Sequence, residues 1–566
     1  MCRPKGRRYK STHFADAQLA NMASISFEGQ RCSLERGRTV FDYADELAVR
    51  VPTSCGRKGS CHECIVEIQQ GHEALCPRTP PESFLRGNFR LACQAAIENP
   101  EIDIEFALLR RHPKILSTAA PTPFEIDPLV TRRDGKVFYD GEVLDDDRGR
   151  LYGVAADIGT TTIVLELVDL ETGATVWVSS LENPQRFGGS DVMNRISYDG
   201  GPYHGELHKS VINALNYELQ EMCRTLGIVR QEIYEMVVVG NSTMRDLFFN
   251  LDVQSIGQRP YKSSIEHEVL EGKRQSTSLT EFAHRLGILT HPKARIFGAP
   301  LISSHVGADS VADLMAIDIE SQHDTVMMVD VGTNTEVAVG HAGRLVCASC
   351  PAGPAFEGGL IKYGMTAGDG AIEALRLNGG RWEHRTIGDV PPRGICGSGL
   401  IDLLAELRRQ ELMTPKGVFA HKARELAIVP EYGITFSRED ASNLAQAKAA
   451  NYCGQLIAMR KFGVRPQELG KLYLAGGFAN YVNVRNAMTI GFLAPVPEGR
   501  VVKVGNASIA GAKQMLLSRR KRRSIEEFVR RAEHIELETT PDFFEVFVEG
   551  CQFKPMPGAC GEEEKL

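Results

Sequence analysis

The sequence predicts a multidomain chain of mixed α+β and α/β class, with a small β-rich domain first and a larger two-lobed domain after it. Two observations carry that expectation. One is a glycine-bearing cysteine loop over residues 55–64, set among short alternating strands. The other is an apolar strand closing in Asp-x-Gly-Thr, which occurs at residues 153–162 and again at 326–335 as a long-range internal repeat. Length agrees, since 566 residues suffice for about three or four domains.

Composition narrows the class. A net charge of -7 and a pI near 6.2 give no general attraction to nucleic acid or to an anionic membrane, so proteins and small molecules are the expected partners. Fourteen cysteines, three of them in one metal-type loop, suggest a reducing compartment, hence the cytoplasm. Residues 1–22 are expected as a flexible extension. Arg3, Lys5, Arg7, Arg8 and Lys10 precede no apolar run, so neither a signal peptide nor a membrane span is predicted, and Met22 is an alternative start.

In residues 23–108, Ile25 and Phe27 alternate, the chain turns at Glu28-Gly29-Gln30, and Cys32 and Leu34 resume the pattern as a hairpin. Thr39 caps a helix through Val40, Phe41, Ala44, Leu47 and Ala48. Cys55, Cys61 and Cys64 follow as C-x5-C-x2-C, a strand runs to Gln70, and Cys93 lies farther on. Four thiolates, two per iron, are what a 2Fe-2S cluster requires, and three on a loop with a distant fourth resemble the ferredoxin arrangement, so this region is expected to be a β-grasp ferredoxin domain. The wider first spacing resembles the adrenodoxin-like branch. A zinc knuckle is the alternative, because Cys61-x2-Cys64 alone matches half a zinc site; zinc sites usually pair two such hooks, and here the partner thiol stands alone. Cys76 competes with Cys93 as fourth ligand, and Cys32 reads as a small core residue.

Residues 109–150, with several prolines and an Asp145-Asp146-Asp147 run, read as a linker with a short hairpin at 136–143. In the 151–540 region, the first repeat supplies Asp157, Gly159, Thr160, Thr161 and Thr162, and the second supplies Asp330, Gly332, Thr333, Asn334 and Thr335. An Asp at a strand end suits a hydrated Mg2+, and a Gly-Thr turn offers amides and hydroxyls to phosphate. Gly476 and Gly477 end another apolar strand and allow close approach to a nucleoside. Glu357 lies in a glycine-rich loop, suited equally to the phosphates or to loop capping. Segments 237–244 and 394–402 are small-residue turns, either connectors or nucleotide contacts. Cys347 and Cys350 read as core or loop cysteines, residues 519–523 as a solvated basic helix end, and residues 541–566 as a C-terminal tail.

A lone Asp-x-Gly-Thr is an ordinary turn, but two copies followed by Gly-Gly resemble the actin-like ATPase superfamily, with its two ribonuclease H-like lobes. That resemblance implies ATP with Mg2+, bound through the residues named above, with Asp157, Asp330 and Glu357 as candidate catalytic groups. A ferredoxin domain fused to such an ATPase resembles the reductive activators of corrinoid proteins, a resemblance that extends to residues 183–192, 240–244 and 394–399. It implies one-electron reduction of Co(II) on a corrinoid methyl-transfer protein, an upstream electron donor and a homodimer formed by the ATPase domain. It also implies a separate middle domain, for which only residues 109–150 are left. The runners-up are an activator of the 2-hydroxyacyl-CoA dehydratase type, which bridges a 4Fe-4S cluster across a dimer, and a nucleotide-binding redox sensor.

Overall fold

The computed structural model describes residues 23–109, 125–477 and 479–558; the expected extension at 1–22 lies outside them. The chain divides into two compact units, one formed by residues 23–109 with segments 184–188 and 209–217, the other by the remainder.

In the first unit, β1 (Ser24–Phe27) and β2 (Gln30–Ser33) form the expected hairpin. Helix α1 (Val40–Glu46) starts in a capping box, in which Thr39 Oγ1 accepts from Asp42 N–H and Asp42 Oδ2 accepts from Thr39 N–H at 2.9 Å. It ends earlier than its apolar pattern predicts because Ala48 takes φ 56°, outside the helical region. Strands β3 (Ile65–Gln70), β4 (Phe89–Leu91) and β5 (Ile104–Leu108) complete a sheet of order β2-β1-β5-β3-β4, in which β1 and β5 are parallel and the other neighbours antiparallel. Arg90 of β4 is enclosed with Glu82, their side chains 1% and 0% exposed, at Nε···Oε1 2.7 Å. Burial pushes the Glu82 carboxyl up, but Arg90 and the N–H groups of Thr79 and Leu91 outweigh it and hold it below its ordinary range.

The second unit begins with β6 (Val130–Arg133), β7 (Lys136–Tyr139) and β8 (Glu142–Asp146), an antiparallel three-stranded sheet. The hairpin expected at 136–143 is present as β7 and β8, but β6 joins it, so residues 125–150 form a packed sheet where the sequence predicts a linker over 109–150; residues 110–124 of that segment lie outside the described residues. Val130, Val137 and Leu144 belong to the same core as Leu151 and Ala155, but the strands that carry them are short and flanked by charged residues, which reads as linker.

Two larger sheets follow. In the first, β9 (Tyr152–Ile158), β10 (Thr162–Asp169) and β11 (Thr175–Glu182) form a meander, with helix α2 (Val192–Asp199) after it. Strands β12 (Ile233–Val239), β13 (Leu279–Phe282) and β14 (Arg295–Gly298) give the order β11-β10-β9-β12-β14-β13, and helix α3 (Ala308–Ala316) leads out. In the second, β15 (Val326–Val331), β16 (Thr335–His341) and β17 (Arg344–Cys350) repeat the meander. Helices α4 (Gly397–Arg409) and α5 (Arg438–Phe462) precede β18 (Lys471–Ala475), β19 (Val501–Gly505) and helix α6 (Ala507–Leu517). In both sheets the meander's first strand runs parallel to the next two, so the sequence repeat is also a repeat of fold. The α3 and α6 backbones approach so closely that a Cβ at Gly511 would lie 1.9 Å from the Ala312 carbonyl oxygen.

Residues 519–523 open helix α7 (Arg519–Val529) and are not simply a solvated end. Lys521 meets Asp318 at 3.1 Å, and Arg522 meets the buried Glu235 at 2.9 Å, so two of the five cations face acids inside the fold. Strand β20 (Glu533–His534) joins β17. The expected tail contains helix α8 (Phe543–Gly550), followed by Phe553 and Met556, both 0% exposed in the second core. Cys347 and Cys350 are buried in β17. Among the described residues no helix is long and apolar enough to cross a membrane.

Glu82→Ala leaves the Arg90 guanidinium enclosed without its carboxylate. Hydrogen exchange of residues 23–109 should register a loss of about 3–5 kcal/mol; unchanged protection would contradict the role given to this pair.

Candidate functional site

The cysteine loop folds through left-handed turns at Gly56 (φ 62°), Arg57 (φ 66°), Gly59 (φ 78°) and His62 (φ 60°), a path that brings backbone N–H groups to sulfur. The Cys55 sulfur accepts from the N–H groups of Lys58, Ser60 and Cys61 and from the Cys61 thiol. Slight burial pushes Cys55 up, but these donors outweigh it and bring it down to about 5. Cys64 and Cys93 sulfurs are 3.4 Å apart. The Cys64 thiol, with help from Gly59 N–H and Gln94 Nε2 at 3.4 Å, lowers Cys93 to about 6, while Cys64 is pushed up by Cys93 and burial. The four thiols thus sit as two pairs, Cys55 with Cys61 and Cys64 with Cys93. Among the described residues, no three metal-ligating side chains gather around a single point. Cys76 faces elsewhere, toward Gln94 O at 3.4 Å and Arg90 Nη2 at 3.7 Å. Two pairs of sulfurs already supplied with amide donors fit the two-per-iron demand of a 2Fe-2S cluster.

In the second unit, one cleft of about 1280 Å3, its open mouth included, is lined by Asp157, Gly159, Thr160, Thr161 and Thr162 from the first repeat. Asp330, Gly332, Thr333 and Asn334 from the second, with Glu357, Gly476 and Gly477, line it too. Thr161 Oγ1 and Thr333 Oγ1 are 3.5 Å apart, so the two Gly-Thr turns meet, and Thr333 Oγ1 donates to Glu357 Oε2 at 2.6 Å. Thr335 is the exception. Strand alternation turns it into the core at 0% exposure and puts Glu336 on the cleft instead.

Sequence reasoning missed Asp309, Glu336 and Asn506, which also line the cleft. Asp309 lies in the first turn of α3, and Asn506 caps α6, accepting from Ile509 N–H at 3.0 Å and donating from Nδ2 to Asp157 Oδ2 at 3.3 Å. The capping residues were the available signal: a helix start with Gly-Ala-Asp, and another with Asn-Ala-Ser. Asn241 and Cys396, from the two turns left open as connectors or contacts, line the cleft as well.

The acids crowd one another. Enclosure, then the charges of Asp309 and Asp330, push Asp157 up to about 8; enclosure and Asp330 bring Asp309 up to about 7. Asp330, Glu336 and Glu357 are raised chiefly by enclosure. These acids do not converge as direct ligands, but they would suit a cation held through its own waters, whose charge would relieve the repulsion that protons otherwise relieve.

The sign of the resulting pH dependence is definite. The folded chain keeps a proton on Asp157 that the unfolded chain has released, so without a cation stability falls as pH rises from the ordinary carboxylate value toward about 8. Asp157→Asn should therefore raise the Tm of the cation-free protein at pH 8 by at least about 2–4 °C and change it little near about pH 3.5, below the ordinary carboxylate value. An equal change at both pH values would contradict the crowding.

Comparison with known proteins agrees with this geometry. Residues 25–98 match the 2Fe-2S iron-sulfur cluster binding domain, residues 152–322 the RACo middle region, and residues 324–558 the C-terminal domain of RACo, the ASKHA domain. The middle region thus occupies the first large sheet, and residues 109–150 are not its remnant. The chain is 31% identical to the corrinoid activation enzyme RamQ of Eubacterium limosum, across 91% of this chain and 96% of that one. It is 24% identical to a [Co(II) methylated amine-specific corrinoid protein] reductase of Methanosarcina barkeri, across 69% of this chain and 75% of that one. A solved reductive activator for corrinoid, iron-sulfur protein superposes with a TM-score of 0.69 at 26% identity, covering 94% of this chain and 98% of that one. With its cluster-binding, middle and C-terminal segments all matched in order, the chain belongs to the family of reductive activators of corrinoid proteins.

Proposed function

We propose that this protein restores the Co(I) state of a corrinoid methyl-transfer protein by delivering one electron to Co(II), driven by ATP hydrolysis. The observation that carries the reading is the presence, in one chain of this family, of a four-thiol centre and an acid-lined cleft between two repeated turns. The relatives named for corrinoid activation and corrinoid-protein reduction support it.

Cys55 and Cys61 would hold one iron and Cys64 and Cys93 the other, and a bound 2Fe-2S cluster supplies one-electron reducing equivalents taken from an upstream donor. A complete thiol set within one chain favours this over a dimer-bridging four-iron activator. In the cleft, Asp157 and Asp330 would orient hydrated Mg2+, which supplies charge neutralisation between the phosphates. The turns at 159–162 and 332–334 would take the phosphate tail, and Gly476 with Gly477 would leave room for the nucleoside. Glu357, held by the Thr333 hydroxyl and raised in pKa by its enclosure, is suited to accept a proton from an attacking water. ATP is needed because an electron at fixed potential only equilibrates with its acceptor, and each tenfold shift costs about 1.4 kcal/mol. A homodimer and a cytoplasmic setting complete the proposal.

The cysteine assignment predicts that Cys93→Ser loses the visible cluster spectrum while Cys76→Ser keeps it; the reverse result would move the fourth ligand.

For the reaction, the visible spectrum of a Co(II) corrinoid methyl-transfer protein is followed while reduced protein and Mg-ATP are added. Co(I) should form only with reductant and ATP together, phosphate release should accelerate when the corrinoid protein is present, and Asp330→Ala should abolish both while keeping its cluster spectrum. Cobalt remaining Co(II) while a dehydratase-type iron-sulfur enzyme is reduced would replace this function with the other activator class.

A further inference from the structure

Three successive carbonyls of the first Gly-Thr turn are tied by groups that do not line the cleft. Asn183 Nδ2 donates to Gly159 O at 2.8 Å, Arg195 Nη2 donates to Thr160 O at 2.7 Å, and the backbone N–H of Asn183 donates to Thr161 O at 2.7 Å. Neither Asn183 nor Arg195 is among the cleft residues. In a planar trans peptide the C=O and the following N–H point opposite ways. Carbonyls of Gly159 and Thr160 held away from the cleft therefore turn the N–H groups of Thr160 and Thr161 toward it, the arrangement that makes a backbone concavity for anions.

Arg195, in α2, is itself fixed. Its side chain is 0% exposed, Nε donates to Gly189 O at 3.0 Å, and Nη1 lies 2.9 Å from Met244 Sδ. Asn241 Nδ2 adds a bond of 2.9 Å to the Thr160 hydroxyl. The second turn is held differently, since the Thr333 carbonyl accepts from the backbone N–H of Gly353 at 2.8 Å. At the equivalent carbonyls, Thr160 and Thr333, the first turn thus depends on a side chain where its counterpart depends on main chain.

We propose that Asn183 and Arg195 are positioning residues of the first phosphate-binding turn, holding its carbonyls outward so that its amides recognise the polyphosphate of the nucleotide. This rests on the nucleotide reading of the cleft given above. It also gives a task to Asn183, which opens the stretch 183–192 through which the sequence resembles corrinoid activators but which contributes no group to the cleft itself.

Equilibrium binding of Mg-ATP and of adenosine to the full, cluster-loaded chain tests it. Asn183→Ala and Arg195→Ala should weaken ATP at least about tenfold and change adenosine by less than about twofold, because only the phosphates meet the turn. Arg195→Lys should recover part of the loss, as one ammonium replaces the donor to Thr160 O but cannot also span to Gly189 O. If Arg195→Ala does not fold, Arg195→Lys and Asn183→Ala decide. Wild-type ratios of ATP to adenosine affinity in those two variants, or equal losses for both ligands, would overturn the assignment. A wild-type chain that binds ATP no better than adenosine would instead overturn the nucleotide reading on which it stands.

Discussion

Carboxylates brought together inside protein repel, and the second unit is built around holding such a group in place. Asp157 comes from the first repeated strand, Asp330 from the second, and Asp309 from a helix that enters between them in the chain. Two helix starts bear on this cluster: Asp309 occupies the first turn of α3, and the residues opening α6 line the same cleft. The partial positive charge at a helix N-terminus offsets part of the repulsion. The uncommonly close approach of α3 and α6 at Gly511 permits this, since a side chain there would drive the helices apart. Ser508 and Asp313, bonded at 2.9 Å, secure the same crossing.

Duplication explains how one cleft acquires two phosphate-type turns. Each meander places its Asp-x-Gly-Thr corner at the same point of an equivalent sheet, and the two corners come close enough for the hydroxyls of Thr161 and Thr333, offset by one position in the repeat, to lie 3.5 Å apart. The copies are no longer equal in detail. The second turn engages an acid through Thr333 and Glu357, whereas the first is anchored from behind by an arginine and an asparagine. The two turns thus share a backbone design and differ in what supports it.

The features legible in the sequence were those carried by spacing along one segment. Cysteines at 55, 61 and 64 and the strand-Asp-Gly-Thr corners declare themselves because neighbours in the chain are neighbours in the site. Asp309 and Asn506 were not legible, as each sits at an ordinary helix start and acquires meaning only when its helix is packed. Thr335 and Glu336 differ by a single step of strand parity, which sequence spacing alone does not resolve. Lys521 and Arg522 sat in a basic run whose acid partners, Asp318 and Glu235, are hundreds of residues away in the chain. The sheet at 130–146 was hidden because its short, charged strands bury only Val130, Val137 and Leu144 in the core, with Tyr139 packed against them.

The burial of Phe553 and Met556 has a consequence for biosynthesis. Both lie in the core that also contains Met327 and Val329, so the earliest and latest strands and helices of that lobe must wait for one another. As a chain emerges from the ribosome, the first unit's strands between residues 24 and 108 are all available long before the second lobe can close. The nascent chain therefore passes through an interval in which the electron-transfer half can be folded while the nucleotide half still exposes apolar surface. Chaperone dependence and aggregation during expression should be concentrated in that interval, and C-terminal truncations should prolong it indefinitely.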